Sequence, residues 1–342
     1  MPSVVGQTFR FAKPGRPEGL PYERNRIDCA NIGWHGYRQM SLTFTDLDSR
    51  LRILLPADYQ DSYDSITPVP MRSAGLKFAA DGRVAWDEIW GSFCDLAMAG
   101  GPPHKGALLE PASRQVIDAN PDRYREVVDE ICRGIAMASG LRAAASTDPG
   151  WIRVTCDDDT TAAWLLRAIV MENVAVRAEG DALELPAGPG FRLEKEIKNV
   201  ITVIAKTYHY WDGHMPFSQQ RAIARLFAEL STECPLVVSA NSEDRRRPAA
   251  ESSTYADIAE RIRAETGLRT SPHDYVGWIG VECPPVRAAV WMMRALVTSN
   301  VLSRREGEVL FVPVNAATDP GGDRTIDALK RAHSIAAARA LL

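Results

Sequence analysis

The chain has 342 residues, 45% of them hydrophobic and 25% charged, with a formal net charge of −4. That length suits two domains, and the acidic balance argues against a general polyanion binder, so nucleic acid is not an expected partner. The apolar runs fall well short of the ~20 residues that a membrane span needs, and the first seventeen residues have no apolar signal core, so a cytoplasmic protein without a membrane partner is expected. The six cysteines form no C-x-x-C pair, which argues against a structural zinc site and favours free buried thiols.

In chain order, FAKPGRPEGLPYERNR is rich in Pro, Gly and charge and reads as extended surface chain. The next cluster, CANIGWHGYRQM (29–40), carries Trp34, His35, Tyr37 and Arg38 among small glycines. This suits a binding loop in which Arg38 takes an anionic group. MSLTFTDLDSRLRILLP then reads as two strands around a polar turn, and PVPMRSAGLKFAADGRVAW as a loop with a hairpin. Residues 1–83 are therefore expected to form an extended, β-rich segment that packs on the domain beginning at residue 84.

Trp86, Ile89, Trp90, Phe93 and Ala97 recur at helical spacing, and Gly100 and Gly101 stop that helix. AGGPPHKG (99–106) comes next and leads into a short apolar strand, ALLEP. Asn120 before Pro121 starts a second helix as N-cap and first residue, and Gly140 ends it. WIRVTC alternates like a strand, a third helix spans 160–172, and VAVRAEG with ALELP forms a hairpin around Glu-Gly-Asp. A long helix closes the unit, giving the order α-β-α-β-α-β-β-α.

This unit occurs twice. Residues 150–186 and 277–313 align without a gap at an offset of 127, and 17 of the 37 positions are identical. Chance would give two or three, so an internal duplication is read. The boundaries expected are 1–83 for the N-terminal segment, 84–213 for the first repeat and 214–342 for the second. The fold class is α+β, with ferredoxin-like plait character in each repeat and a pseudo-twofold between them.

Comparison of the repeats sorts the residues. Trp151/Trp278, Cys156/Cys283, Trp164/Trp291, Arg167/Arg294, Asn173/Asn300, Arg177/Arg304 and Glu179/Glu306 are shared, and shared residues are read as structural. The tryptophans fit a core, each Asn a left-handed turn, and each Arg–Glu pair an internal ion pair. Each cysteine ends a strand before a helix, where the helix N-terminus can activate a thiol; a two-base isomerase is one reading and a small apolar strand end the other.

Residues found in one repeat alone are read as functional. His104 and Lys105, in a loop the second repeat lacks, are expected as acid–base and anion-binding groups, with His35 a further catalytic candidate; the other reading of that loop is a rigid connector. GGPPHKG lacks the spacing of a P-loop. TYHYWDGHMPF (207–217) contributes His209, Asp212 and His214, read as a polar site wall or an aromatic linker; the two histidines are five apart, not the four that share a face of an α-helix, so no metal is expected. The arginine run in NSEDRRRPAAESS reads as a solvated loop.

No cofactor fingerprint is present, and none is expected. The function read from these features is an enzyme acting on a small polar metabolite with a carboxylate or phosphate by cofactor-independent acid–base chemistry, as a lyase, isomerase or hydrolase. Its site would lie where the N-terminal segment meets the two repeats. The alternative is a non-catalytic ligand-binding or scaffold protein. Either is compatible with a homo-oligomer.

Overall fold

The computed structural model describes residues 44–60, 75–89, 106–240, 249–272 and 275–342, all within one compact unit, Leu42–Leu342. Among the described residues, α-helices surround two four-stranded antiparallel sheets, and no helix is long and apolar enough to cross a membrane.

The first sheet comprises β1 (Arg142–Ala145), β2 (Trp151–Thr155), β3 (Arg177–Glu179) and β4 (Ala182–Pro186), in the order β1-β2-β4-β3. The second comprises β5 (Thr270–Ser271), β6 (Trp278–Glu282), β7 (Arg304–Glu306) and β8 (Val309–Pro313), in the order β5-β6-β8-β7. Register repeats with order: Trp151 lies opposite Pro186, and Trp278 opposite Pro313. Both hairpins turn on a glycine at φ 57°, Gly180 and Gly307. Asn173 and Asn300 both take the left-handed turn, at φ 59° and 62°.

Loop hydrogen bonds repeat as well. Leu109 N–H donates to the Asn173 carbonyl, and Val237 N–H to that of Asn300. Each apolar segment expected as a strand, ALLEP and PLVVSA, is reduced to one parallel bridge, Leu109–Val174 and Val237–Val301. Gly150 (φ 92°) and Gly277 (φ 78°) introduce the two tryptophans. A Cβ there would stand 2.7 Å from the Ala112 carbonyl oxygen and 2.6 Å from that of Ala240, so neither position accepts a side chain.

Two cores result. In the first, Ile152, Val154, Leu183 and Leu185 of the sheet meet Ile131 and Ile135 of the helix Pro121–Ser139, Leu165 and Ile169 of Asp159–Val170, and Ile201 and Ile204 of Lys198–His209. The helix Phe217–Glu233 adds Ile223, Leu226 and Leu230 to it. The second gathers Val281, Leu310 and Val312 with Trp291 and Leu296 of Val286–Thr298 and Ile326 and Leu329 of Asp323–Ala338.

Several local expectations meet a different structure. Phe44–Leu54 is a helix, not a strand pair. Leu47, Leu51 and Leu54 stand four and three residues apart, which gives one apolar helical face; Leu47 and Leu51 join the second core and Leu54 the first. β1, RAAA, was not expected, because a run of small residues has no alternating pattern. The hairpin expected before Trp86 is reduced to the bridge Phe78–Val84, with Gly82 at φ 78°. Part of the expected loop 241–253 is helical, since a helix covers Ala249–Thr266. Asn120 does precede the helix Pro121–Ser139, but its side chain makes no capping bond.

Candidate ligand-binding site

A cavity of about 680 Å³ lies at the boundary of the two similar halves. Its lining contains corresponding residues from both: Trp151 and Trp278, Arg177 and Arg304, Pro149 and Val276. The local sequence explains why they converge. Gly150 and Gly277 set the tryptophans at the starts of β2 and β6, and the turns at Asn173 and Asn300 lead into the arginines at the starts of β3 and β7. The asparagines also tie the halves together. Asn173 Nδ2 donates to the Arg305 carbonyl at 2.6 Å, and Arg167 Nη2 donates to Asn300 Oδ1 at 2.6 Å.

Both arginines stack on aromatic rings. The Arg177 guanidinium lies 4.4 Å from the centre of the Trp151 ring. That of Arg304 lies 4.0 Å from Phe311, 4.3 Å from Tyr275 and 5.2 Å from Trp278. Their polar environments differ sharply. Arg177 donates from Nε to Glu184 and from Nη2 to Asp148. At the offset of 127 these carboxylates correspond to Phe311 and Tyr275, the rings that stack on Arg304. Arg304 therefore keeps only Nη1 engaged, with Glu306 at 2.6 Å and Asn173 Oδ1 at 3.3 Å. Its Nε and Nη2 are buried without a hydrogen-bond partner among the described residues, and its side chain is 0% exposed.

The ion pair expected in both halves thus occurs in one. Arg304 meets Glu306, but Arg177 turns to Asp148 and Glu184, and Glu179 pairs with Arg153 at 3.1 Å. Arg153 makes the difference: its counterpart is Gly280, which leaves no cation beside Glu306 in that position.

Burial lowers the pKa of the Arg304 guanidinium, and the carboxylates of Glu306 and Glu110 work against that shift. Glu110 lines the cavity and makes no hydrogen bond or ion pair with the described residues. Burial, then the hydrogen bond and charge of Glu306, raise the pKa of the Tyr275 phenol, which holds it neutral. The cavity wall thus includes a buried guanidinium with two donors unpartnered among the described residues, a carboxylate and two indole rings.

Of the site residues expected from sequence, Trp34, His35, Tyr37, Arg38, His104 and Lys105 lie outside the described residues. The described chain resumes at Gly106, whose carbonyl accepts from Asn173 Nδ2 at 2.8 Å, two residues before Leu108 enters the cavity wall. His209, Asp212 and His214 do not line the cavity. The two histidines do meet, with Nε2 atoms 3.1 Å apart, because Tyr210–His214 is π-helical and a π turn brings residues five apart together. The expectation that their spacing separates them assumed an α-helix. Among the described residues, no group of three or more His, Cys, Asp and Glu is placed to hold a metal ion.

Cys156 and Cys283 also stand apart from the cavity. Burial pushes each thiol up to about 12, with Asp157, Asp181 and Asp158 adding to the shift at Cys156. That direction disfavours the thiolate that a two-base isomerase needs. What sequence reasoning missed is the pairing of Arg177 and Arg304 with Trp151 and Trp278 around one space. The available signal was the exchange of Asp148 and Glu184 for Tyr275 and Phe311 beside a retained arginine.

No family model, curated protein or solved structure matches this chain.

Proposed function

We propose that the protein binds a small metabolite bearing a carboxylate or phosphate in the cavity between the two sheets, with Arg304 as the anion-binding residue. The observation that carries this reading is the pair of free, buried donors on Arg304. Its counterpart, Arg177, has the same two nitrogens taken by Glu184 and Asp148. An unpartnered buried donor costs roughly 1–3 kcal/mol, and a ligand oxyanion removes that cost. The indoles of Trp151 and Trp278 supply apolar wall for the rest of the ligand.

The repeated register and loop bonds support a tandem duplication with a pseudo-twofold near the cavity. In each sheet a strand-helix-hairpin order also supports a ferredoxin-like plait. A catalytic role rests on one further observation: Glu110 lines the same space as Arg304 and has no competing partner among the described residues. Within electrostatic reach of Arg304, it is the group to move a proton to or from the substrate. This keeps the acid–base enzyme reading and gives Glu110 a role that His104 and Lys105 were expected to fill.

The test is a thermal-shift and calorimetric screen of the full chain with inorganic phosphate, short mono- and dicarboxylates and amino acids. Arg304→Met should abolish the stabilisation by any hit, and Glu110→Gln should retain binding while stopping turnover of a hit that is converted. Binding that is unchanged in Arg304→Met overturns the assignment.

A further inference from the structure

We propose that His209 and His214 form a two-histidine site for a borderline divalent transition metal such as Zn²⁺ or Ni²⁺. This site is independent of the cavity. Its basis is the π-helical turn Tyr210–His214 at the end of the helix Lys198–His209. That turn aligns residues 209 and 214.

The ring geometry suits a shared ion. At a Zn–N distance of ~2.05 Å, nitrogens 3.1 Å apart subtend roughly 98° at the metal, between octahedral and tetrahedral angles. Two imidazoles aimed at one such ion have ring centres about 4.8 Å apart, whereas a linear N–H···N bond over the same span sets them at about 5.4 Å. The centres are 4.9 Å apart, with the rings inclined at 70°.

The surroundings hold both rings in place. Tyr210 packs against His214 at 5.5 Å and against His209 at 6.4 Å. Gln220 Nε2 donates to the Trp211 carbonyl at 2.8 Å and to that of Met215 at 3.1 Å, which closes the end of the π turn. Both histidines are half-buried, and Asp212 is exposed on the same turn, so water can complete the coordination. Burial, then the charge of His214, lowers the His209 pKa against the opposing pull of Asp212, which favours the neutral ring a metal needs. Imidazole donors of this kind suit zinc, nickel and copper, not the oxygen-seeking Mg²⁺ or Ca²⁺.

The experiment titrates the full chain with ZnCl₂, NiCl₂ and MgCl₂ by calorimetry at pH 7.5. Saturable one-to-one binding of Zn²⁺ and Ni²⁺ is expected, without a Mg²⁺ signal. His209→Gln or His214→Gln should each weaken it at least tenfold. A second arm needs no variant: Zn²⁺ should shield His209 and His214 of the wild-type chain from diethyl pyrocarbonate, read by peptide mass, and leave His333 reactive. Absence of saturable binding, affinity unchanged by both substitutions, or protection that spares residues 209 and 214 overturns the site.

Discussion

Replacing each cavity arginine by methionine tests the proposal that Arg177 serves the fold and Arg304 a ligand. Arg177→Met strands two carboxylates, Glu184 with a side chain 13% exposed and Asp148 at 35%. Breaking a fully buried pair costs about 3–5 kcal/mol, and the partial exposure of Asp148 and Arg177 reduces this to about 2–3 kcal/mol. Arg304→Met has terms of both signs. It removes a cation stacked among three rings, worth about 2 kcal/mol, and the bond to Glu306, worth about 2 kcal/mol. Glu306 still accepts from the Leu108 N–H at 3.3 Å and bonds the Tyr275 hydroxyl. Against these losses, two unpartnered donors disappear at about 1–3 kcal/mol each, and a thioether gains contact with Phe311, Tyr275 and Trp278. At the midpoints of these ranges the losses and gains cancel, and the sum lies within about 2 kcal/mol of zero.

Urea denaturation without added ligand therefore ranks the variants: a clear fall in midpoint for Arg177→Met and almost none for Arg304→Met. Adding a ligand found in the screen should reverse the ranking of effects, raising the midpoint of the wild type and of Arg177→Met but not that of Arg304→Met. A loss of 2 kcal/mol or more in ligand-free Arg304→Met would mean that its nitrogens are already satisfied. The case for an anion site at Arg304 then fails.

Three other parts of the fold carry predictions of their own. Gly150→Ala and Gly277→Ala should each cost about 3 kcal/mol by chemical denaturation, from a positive φ of 92° or 78° plus a backbone oxygen under 3 Å from the new Cβ; near-neutral values in either would contradict the close approach. Asp158→Ala should cost about 1 kcal/mol, because its carboxylate accepts from Thr161 N–H at 2.7 Å and caps the helix Asp159–Val170, and loss of the cap should appear as faster amide exchange in that first turn. His209 has a folded pKa below its unfolded value near 6.5, so its contribution is complete above that pH and is lost as pH falls through the folded value; His209→Gln should flatten the stability–pH curve below pH ~6.5, leaving the similar slope due to His333.

The likeness of the two sheets was legible because residues 150–186 and 277–313 match without a gap, and the elements with strong local signals came with it. Pro121 and Gly140 bound their helix as expected, with Gly140 at φ 73°, and the hairpin turns at Gly180. Weak local signals failed where tertiary packing decides. The helix Phe44–Leu54 begins with Phe44 and Thr45, residues that read as strand, yet its leucines find apolar partners in two cores. The π turn at Tyr210–His214 was invisible because a spacing of five has no meaning until the helix widens. The cavity was missed for a different reason: its tryptophans and arginines are shared by both halves, and a shared residue reads as structural.

That criterion misleads wherever two copies enclose one site. A residue near a pseudo-twofold faces its own counterpart, so the same position in both halves lines the same space. Retention of Trp151/Trp278 and Arg177/Arg304 is then what a shared cavity requires, and functional divergence appears in what each retained residue touches. Here Asp148 and Glu184 neutralise Arg177 and make it part of the wall, while Tyr275 and Phe311 stack on Arg304 without satisfying it. Restoring carboxylates at the second pair, as Tyr275→Asp with Phe311→Glu, should convert Arg304 into a second structural arginine. If the proposed anion site exists, the double variant keeps its fold in urea denaturation and no longer binds the ligand in calorimetry, because the protein's own carboxylates engage Nε and Nη2.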